Sequence, residues 1–334
     1  MSDVTPLVSV ITLSYNSTWL LDTVSSVLAQ NYDRIEYIVS DDGSISFPDG
    51  KIRELYANTA RPDWSLKIIR HQNNIGTVGN LNAAIRSSSG EYLIFVSGDD
   101  LLPAIDTVSY WVHEFQFQQL DVLIGYADVY DLEMKHRINR MPTRKQASLI
   151  KNLAPTDLYQ KLCYKNFIFG CCTARTRKSI DTYGYFDSRF HLLEDYPMNL
   201  YLLRNDVKFG LVDRLVIKYR SGGTSASCNY NAVYEKDSDL LYTIEQSRYA
   251  KRSKRVLRQY SIWKETRKEA SALFSIYYSK NLFCSDKILY CLRHPLPFLR
   301  QLCYAFYWRS RRLLYSIIDL RRYSNDENRY HNYY

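Results

Sequence analysis

Two short acidic motifs are the residues of this sequence best suited to do chemistry. Asp99 and Asp100 end the motif S-G-D-D at 97–100, and Glu194-Asp195 follows roughly a hundred residues later. A carboxylate that holds a divalent metal, together with a separate carboxylate acting as a base, is sufficient to move a group off a nucleotide diphosphate. Adjacent carboxylates repel each other unless a cation or hydrogen bonds hold them. The 97–100 motif therefore indicates more than the start of a helix.

The first 125 residues alternate between apolar β-branched runs and helical periodicity. Strands are predicted at 7–13, 35–39, 66–69, 92–96 and 122–124, and helices at 20–30, 51–59, 78–87 and 105–118. Such alternation predicts an α/β fold in which a mainly parallel central sheet is the middle of three layers.

Polar motifs follow each of the first four predicted strands. They are S-Y-N at 14–16, D-D-G-S at 41–44, N-N-I-G at 73–76 and S-G-D-D at 97–100. Parallel strands place their carboxyl ends at one edge of a sheet, so these loops are expected to meet there. Each of the middle two, taken alone, is more often an ordinary turn.

Composition and missing motifs exclude several classes of protein. The chain has no G-x-G-x-x-G after the first strand and no G-x-x-x-x-G-K-[ST], which disfavours a dehydrogenase and a P-loop nucleotidase. Its 334 residues carry a net charge of +9, which points to anionic partners. Seven cysteines without paired metal-ligand spacing favour a reducing cytosol. The sequence also predicts neither a secretory signal nor a spanning helix.

Residues 7–225 resemble the GT-A nucleotide-sugar domain of family 2 inverting glycosyltransferases. The resemblance rests on an ordered set: S-V-I-T-L-S-Y-N, I-V-S-D-D-G-S, N-x-G-x-x-x-x-x-N-x-A at 74–84, G-E-Y-L-I-F-V-S-G-D-D, G-Y-F-D at 184–187, and E-D at 194–195. It implies a GT-A fold and the inverting transfer of a sugar from a nucleoside-diphosphate donor. It also implies Mg²⁺ or Mn²⁺ as the cofactor.

The same resemblance assigns a donor site residue by residue. Tyr15 would lie against the nucleobase, Asp42 would hydrogen-bond the ring nitrogen of that base, and Asp99 would contact the ribose. Asp100 would bind the metal. Asn74 and Gly76, from the N-x-G element, complete the donor-binding set, which carries Ser97 where the commoner D-x-D-D form has a first aspartate.

For the transfer step, Asp195 matches the general base of the family, and Glu194 would orient or polarise it. An acidic pair that opens a helix is also good capping chemistry, so this interpretation depends on the neighbouring G-Y-F-D element. Arg220 lies in Y-R-S-G-G-T-S at 219–225, which is similar to a diphosphate loop of the family but lacks its histidine. Arg220 is expected to meet phosphate.

Domain organisation follows from the same patterns. Residues 1–125 are predicted to form the nucleotide-sugar half and 126–225 the acceptor half, with a mobile, acceptor-side insertion at 126–152. Residues 226–323 form a basic, helical C-terminal region, and 324–334 a disordered tail. Basic amphipathic helices suit an anionic membrane surface. The alternative is a helical pair packed against the catalytic domain.

The sequence therefore predicts a cytoplasmic enzyme, peripheral on the inner face of the membrane, that adds one sugar to a lipid-linked glycan acceptor. Bacterial capsule or lipopolysaccharide assembly is the setting that the family implies, with a UDP-sugar as donor. Nucleic acid is not an expected partner, because no recognition motif is present. Two rivals remain at this point: a soluble transferase acting on a protein or small molecule, and a non-catalytic protein that only binds nucleotide-sugars.

Overall fold

The structure, a computed structural model, describes residues 5–59, 61–164, 166–221 and 231–246. The described residues up to 221, together with 232–244, belong to one compact unit. The tail at 324–334, the loop at 222–225 and most of the basic C-terminal region lie outside the described residues. The membrane and disorder predictions made for them stay predictions.

The first half of the chain confirms the alternation read from the sequence. Its elements are β1 (Val8–Ser14), α1 (Leu20–Leu28), β2 (Ile35–Asp41), α2 (Asp49–Thr59), β3 (Ser65–Arg70), α3 (Gly76–Arg86), β4 (Tyr92–Ser97) and α4 (Thr107–Gln118). Their boundaries differ from the predicted ones by no more than about two residues, which is the usual uncertainty at element ends.

The second half adds strands, helices and one short turn of 3₁₀ helix. They are β5 (Val122–Tyr130), β6 (Arg137–Met141), α5 (Arg144–Asn152), α6 (Pro155–Tyr164), the 3₁₀ turn Gly170–Cys172, β7 (Thr173–Thr176), α7 (Arg177–Tyr183), α8 (Asp195–Arg204), β8 (Phe209–Arg220) and α9 (Ala232–Gln246). None of the helices in the described part of the chain combines the length and the apolar character that a bilayer crossing requires.

The eight strands among the described residues form one sheet, in the order β3-β2-β1-β4-β7-β5-β6, with β8 also paired to β5. β1 to β4 pair in parallel, as do β5 and β8, whereas β7 and β6 run antiparallel to their neighbours. The predicted α/β class with a mainly parallel sheet is confirmed. The two reversed strands, β6 and β7, lie in the half where sequence periodicity was weaker.

Burial explains why these segments form strands and helices. β2 is flanked by β1 and β3, and all seven of its residues are buried, whereas the edge strand β3 is half exposed. On α1 the buried residues recur at helical spacing and form one apolar face. They are Leu20, Thr23, Val24, Val27 and Leu28.

The strand order places a crevice at the carboxyl ends of β1 and β4. The chain moves outward from β1 through β2 to β3, then crosses back to β4 on the other side of β1. Right-handed crossovers put α1 and α2 on one face and α3 on the other. Ligand sites in such sheets lie where the order reverses, and the register keeps Leu13 of β1 level with Ser97 of β4 there.

Residues 126–152, where the sequence predicted a mobile insertion, contain the end of β5, all of β6 and all of α5. Their mobility stays a prediction. β5 and β6 form an antiparallel pair in which the carboxylate of Asp128 accepts two hydrogen bonds from Arg140, at 2.6 and 2.8 Å. α5 begins with a capping box between Thr143 and Gln146. The signature T-x-x-Q was readable in the sequence, but the charges of this segment obscured it.

Candidate active site

The end of β4 buries a carboxylate that has one free oxygen. Asp100 is completely buried, and its Oδ1 accepts the backbone N–H of Arg220 at 2.9 Å. Its Oδ2 has no hydrogen-bond partner among the described residues. Burial, and then the charge of Asp99, raise the pKa of Asp100 well above its ordinary value. Such an oxygen is costly unless a positive group reaches it.

The residues at this position fit a divalent cation. Within the described ranges, no group of three or more histidine, cysteine or acidic side chains is arranged to hold a metal. Mg²⁺, however, is usually held by one or two carboxylates, with substrate phosphates and water supplying the other ligands. The unpaired Oδ2 of Asp100 is consistent with that pattern, and Asp99 beside it is half-buried with a raised pKa.

Arg220 connects β8 to this acidic loop. It is 3% exposed, its Nε donates to the carbonyl oxygen of Asp99 at 2.9 Å, and its guanidinium lies 3.9 Å from the ring centre of Trp19. A further donor, Nη1, reaches the carbonyl oxygen of Leu132 at 2.6 Å. Arg220 thus fixes the backbone around Asp100, and its contact with phosphate stays a prediction.

The loops after β1 and β2 are joined to each other. Tyr15 presents 54% of its surface to solvent at the carboxyl end of β1. The N–H of Asn16 donates to the Oγ of Ser44 at 2.7 Å, and the Oδ1 of Asn16 accepts the N–H of Ile45 at 3.0 Å. Tyr15 is therefore exposed beside the second loop. Its stacking on a nucleobase stays a prediction.

Asp42 joins the second loop to the third. Its two carboxylate oxygens accept the N–H groups of Ile75, at 2.7 Å, and Gly76, at 3.0 Å, at the start of α3. Asn74 accepts from the same Gly76 N–H through Oδ1 at 3.2 Å. Carboxylates at a helix N-terminus satisfy free amides and the helix dipole. Hydrogen bonding by Asp42 to a base stays a prediction.

Gly76 lies where no larger residue fits. Its φ of +83° is in the left-handed region, and a Cβ there would be 2.6 Å from two ring atoms of His191. The carbonyl oxygen of His191 also accepts the N–H of Val78 at 3.1 Å. The start of α3 thus contacts both the donor loops and the segment that leads to Glu194-Asp195.

The second acidic motif opens α8. Glu194 and Asp195 are half-buried, and Oδ2 of Asp195 accepts the N–H of Gly170 at 2.9 Å. Burial raises the pKa of Asp195, although the N–H groups of Gly170 and Tyr196 and the charge of Arg175 act to lower it. Asp195 therefore has anion-stabilising partners and a raised proton affinity, which suits a base at neutral pH.

Glu194 has a raised proton affinity beside the proposed base. Burial and then the charge of Asp195 raise the pKa of Glu194 to about 8. Neighbouring acids whose pKa values are shifted by burial and by each other are typical of functional sites.

We expect Glu194→Gln to remove part of the pH dependence of stability. The pKa of Glu194 in the folded state, about 8, lies above its ordinary value. The contribution of Glu194 to the free energy of unfolding is therefore complete at low pH and is lost as pH rises towards 8. Gln is neutral throughout. Relative to wild type, the variant should gain on the order of 1–2 kcal/mol between pH 5 and pH 9, after allowance for partial exposure.

Chemical denaturation at pH 5, 7 and 9 measures this difference in the free energy of unfolding. Glu54→Gln, at an exposed position of α2, is the matched control. A constant difference between Glu194→Gln and wild type at all three pH values would contradict the assignment.

The 3₁₀ turn Gly170–Cys172 connects the sheet to the second acidic motif. It packs against β4, the strand that leads to Asp99 and Asp100, and the N–H of Gly170 donates to Oδ2 of Asp195 at 2.9 Å. A Cβ added at Gly170 would lie 3.1 Å from Oε1 of Glu194, so the turn approaches the acidic pair closely.

Sequence reasoning assigned no role to several buried side chains that position this site, although one of them, Asn82, belongs to a motif that it recognised. Asn82 of α3 donates to the carbonyl oxygen of Phe186 at 2.8 Å and accepts the N–H of Phe186 at 3.1 Å, which ties the N-x-A element to G-Y-F-D. Arg175 is buried beneath the base, donates to Asn199 at 2.9 Å, and has a pKa that burial lowers to about 10. A buried polar residue on a strand or helix carries no separate signal in one sequence.

Comparison with known proteins places these residues in context. A family model described as glycosyl transferase family 2 matches residues 9–184. The Escherichia coli protein WfgD, a UDP-Glc:alpha-D-GlcNAc-diphosphoundecaprenol beta-1,3-glucosyltransferase, is 25% identical over 237 residues. The aligned region covers 70% of this chain and 85% of WfgD.

Solved structures share the fold at low identity. S. aureus TarS 1–349, in complex with UDP-GlcNAc, is 18% identical with a TM-score of 0.55, covering 82% of this chain and 74% of that one. The match spans only 44% of a longer TarS chain. The mannosyltransferase PcManGT from Pyrobaculum calidifontis, in complex with GDP-Man and Mn²⁺, is 17% identical with a TM-score of 0.54, covering 95% of this chain and 88% of that one.

Proposed function

Because this chain belongs to glycosyl transferase family 2, we propose that it transfers a single sugar, with inversion, from a nucleoside-diphosphate sugar to a hydroxyl of a glycan acceptor. The observation that carries the proposal is the buried Oδ2 of Asp100 at the end of β4, which has no hydrogen-bond partner among the described residues. That oxygen suits the phosphate end of a donor, and Asp195, held by the N–H of Gly170, suits an acceptor hydroxyl.

The chain's own residues account for one displacement step. Asp195, as a carboxylate, takes the proton of the acceptor hydroxyl while that oxygen forms a bond to the anomeric carbon. The bond from that carbon to the diphosphate oxygen breaks with its electron pair, and nucleoside diphosphate leaves. A single displacement inverts the anomeric centre and needs no protein nucleophile.

The donor end of the site is built from the loops after β1, β2, β3 and β4. Tyr15 offers an exposed aromatic face for the nucleobase, and Asp42 joins its loop to the start of α3 through two hydrogen bonds. Asp99 and Asp100 close the other end, with Asp100 as the residue that would hold Mg²⁺ or Mn²⁺. A divalent cation there would neutralise the charge that develops on the departing diphosphate.

We also propose a lipid-linked glycan acceptor, in bacterial surface polysaccharide synthesis, and a UDP-sugar donor. The support is the similarity to WfgD, a UDP-Glc:alpha-D-GlcNAc-diphosphoundecaprenol beta-1,3-glucosyltransferase. Such an acceptor would place the reaction at the cytoplasmic face of the membrane. If the acceptor is instead a protein or a small molecule, an assay with soluble acceptors would detect sugar transfer to them.

A donor panel tests the proposal. We expect one nucleotide-sugar class, UDP-sugars first, to raise the melting temperature by several degrees in the presence of Mn²⁺ and to be hydrolysed slowly without acceptor. EDTA should abolish both effects. The panel contains UDP-, GDP-, dTDP- and CMP-sugars with the free nucleotides as references. If no nucleotide stabilises the folded protein with or without metal, the donor site does not exist as proposed.

A further inference from the structure

α9 carries a buried carboxylate whose partners lie directly before the base. Asp237 is 3% exposed. Its Oδ2 accepts the backbone N–H groups of residues 191–193, at 2.9, 2.7 and 3.0 Å. Glu194 and Asp195 are the next two residues of the chain. One side-chain oxygen thus gathers three consecutive amides immediately before the catalytic pair.

We propose that Asp237 is a positioning residue, which fixes segment 191–193 and thereby sets where Glu194 and Asp195 stand against the acceptor. This inference rests on the proposed role of that pair. Hydrogen bonds to an ionised acceptor are about twice as strong as neutral ones. Three of them converge on Asp237, more than forty residues away in sequence, so the contact is tertiary and not a local turn.

The segment that Asp237 holds also contacts the donor half of the site. The carbonyl oxygen of His191 accepts the N–H of Val78, and the ring of His191 covers Gly76 at the start of α3. Segment 191–193 is therefore held from two directions, by α9 through its N–H groups and by α3 through a carbonyl. With the α9 contacts removed, the hydrogen bond to Val78 would still hold the donor side, while the peptides that lead into Asp195 would be released.

Asp237 is also close enough to Glu194 to affect its charge state. The charge of Asp237 adds to burial and to the charge of Asp195 in raising the pKa of Glu194. A residue that served only to stabilise α9 would not need hydrogen bonds to the backbone next to Glu194 and Asp195. The partners of Asp237 are instead the peptides adjoining the reacting carboxylates.

Substitutions of Asp237 should therefore affect kcat more than donor binding. We expect Asp237→Ala to lower kcat by about 100-fold, the scale of a misplacement of about 1 Å, with the Kd of the donor unchanged. Asp237→Asn keeps an oxygen acceptor of the same size without the charge and should lose only about tenfold. Lys236→Ala, on the exposed side of the same helix, is the control and should retain wild-type kcat.

A double-mutant cycle with Asp195→Asn separates positioning from general stability. If Asp237 acts through Asp195, Asp237→Ala should cost nothing further in the Asp195→Asn background. Additive losses, an equal loss of donor affinity, or wild-type kcat in both Asp237 variants would overturn the inference. If Asp237→Ala does not fold, the tenfold loss and unchanged donor Kd of Asp237→Asn decide the matter.

Hydrogen exchange gives a readout that needs no turnover. Amides 191–193 should exchange faster in Asp237→Ala than in wild type, with an intermediate rate in Asp237→Asn and no change at 73–78. Equal protection in all variants overturns the inference even if the enzyme is active. If amides 191–193 exchange faster in Asp237→Ala but the wild-type protein turns over no donor, the positioning role stands and the proposed function fails instead.

Discussion

Asp195→Asn is expected to lower kcat by about 10²- to 10⁴-fold, the range that a general base contributes. The amide oxygen of Asn can still accept the N–H of Gly170, so the geometry of the turn should survive. An uncharged amide cannot take the proton of the acceptor hydroxyl. The Kd of the donor, measured by calorimetry with Mn²⁺ present, should remain that of wild type, because the donor loops lie at another edge of the site.

The control for this substitution is Asp187→Asn. Asp187 belongs to the G-Y-F-D element, and its carboxylate pairs with the exposed Arg189 at 2.6 Å. It should retain kcat within a small factor. Retention of wild-type kcat in Asp195→Asn would remove the base from its proposed position. Loss of donor binding in that variant would show that the carboxylate serves the donor instead.

Asp100→Asn is expected to separate stability from function. Replacing a buried carboxylate that has an unpaired oxygen removes a desolvated charge, so the metal-free variant should be at least as stable as wild type. The raised pKa of Asp100 leads to the same expectation. Because the folded state holds the proton more tightly than the unfolded state, the wild-type protein loses stability as pH rises.

The same variant should lose the stabilisation that Mn²⁺ and donor together give to wild type, and kcat should fall by about 10²- to 10³-fold. Thermal unfolding with EDTA, with Mn²⁺, and with Mn²⁺ plus donor measures both effects in one series. Asp106→Asn is the control, because Asp106 pairs with Arg214 at 2.5 Å, outside the site. Metal-dependent stabilisation that persists in Asp100→Asn would exclude this residue as the ligand.

The donor half of the fold was readable because its signals are local. A buried strand followed by a polar loop has a characteristic pattern at each of β1, β2 and β4, and the rule for parallel sheets then places those loops at one edge. The loop contacts between Asn16 and Ser44, and between Asp42 and Gly76, agree with that placement. Family, fold and enzyme class are confirmed by the matching family model and structures.

The acceptor half was harder to predict because its elements depend on distant partners. β7 is four residues long and lies between β4 and β5, antiparallel to both, so its identity as a strand comes from pairing and not from its own sequence. Asp237 and Asn82 act through backbone groups of segments far away in sequence. A single sequence contains the residue types for such contacts but not their distances.

The contact between α9 and segment 191–193 determines how far the chain can be shortened from its C-terminal side. A chain shortened to the predicted boundary at residue 225 would retain Tyr15, Asp42, Asp100 and Asp195. It would nevertheless lack the carboxylate that gathers the three amides before the base. Such a fragment would contain every motif that the sequence predicts for the site, but it would lack the hydrogen bonds that hold segment 191–193. Expression limits for structural work should therefore be set beyond residue 246, after the end of α9.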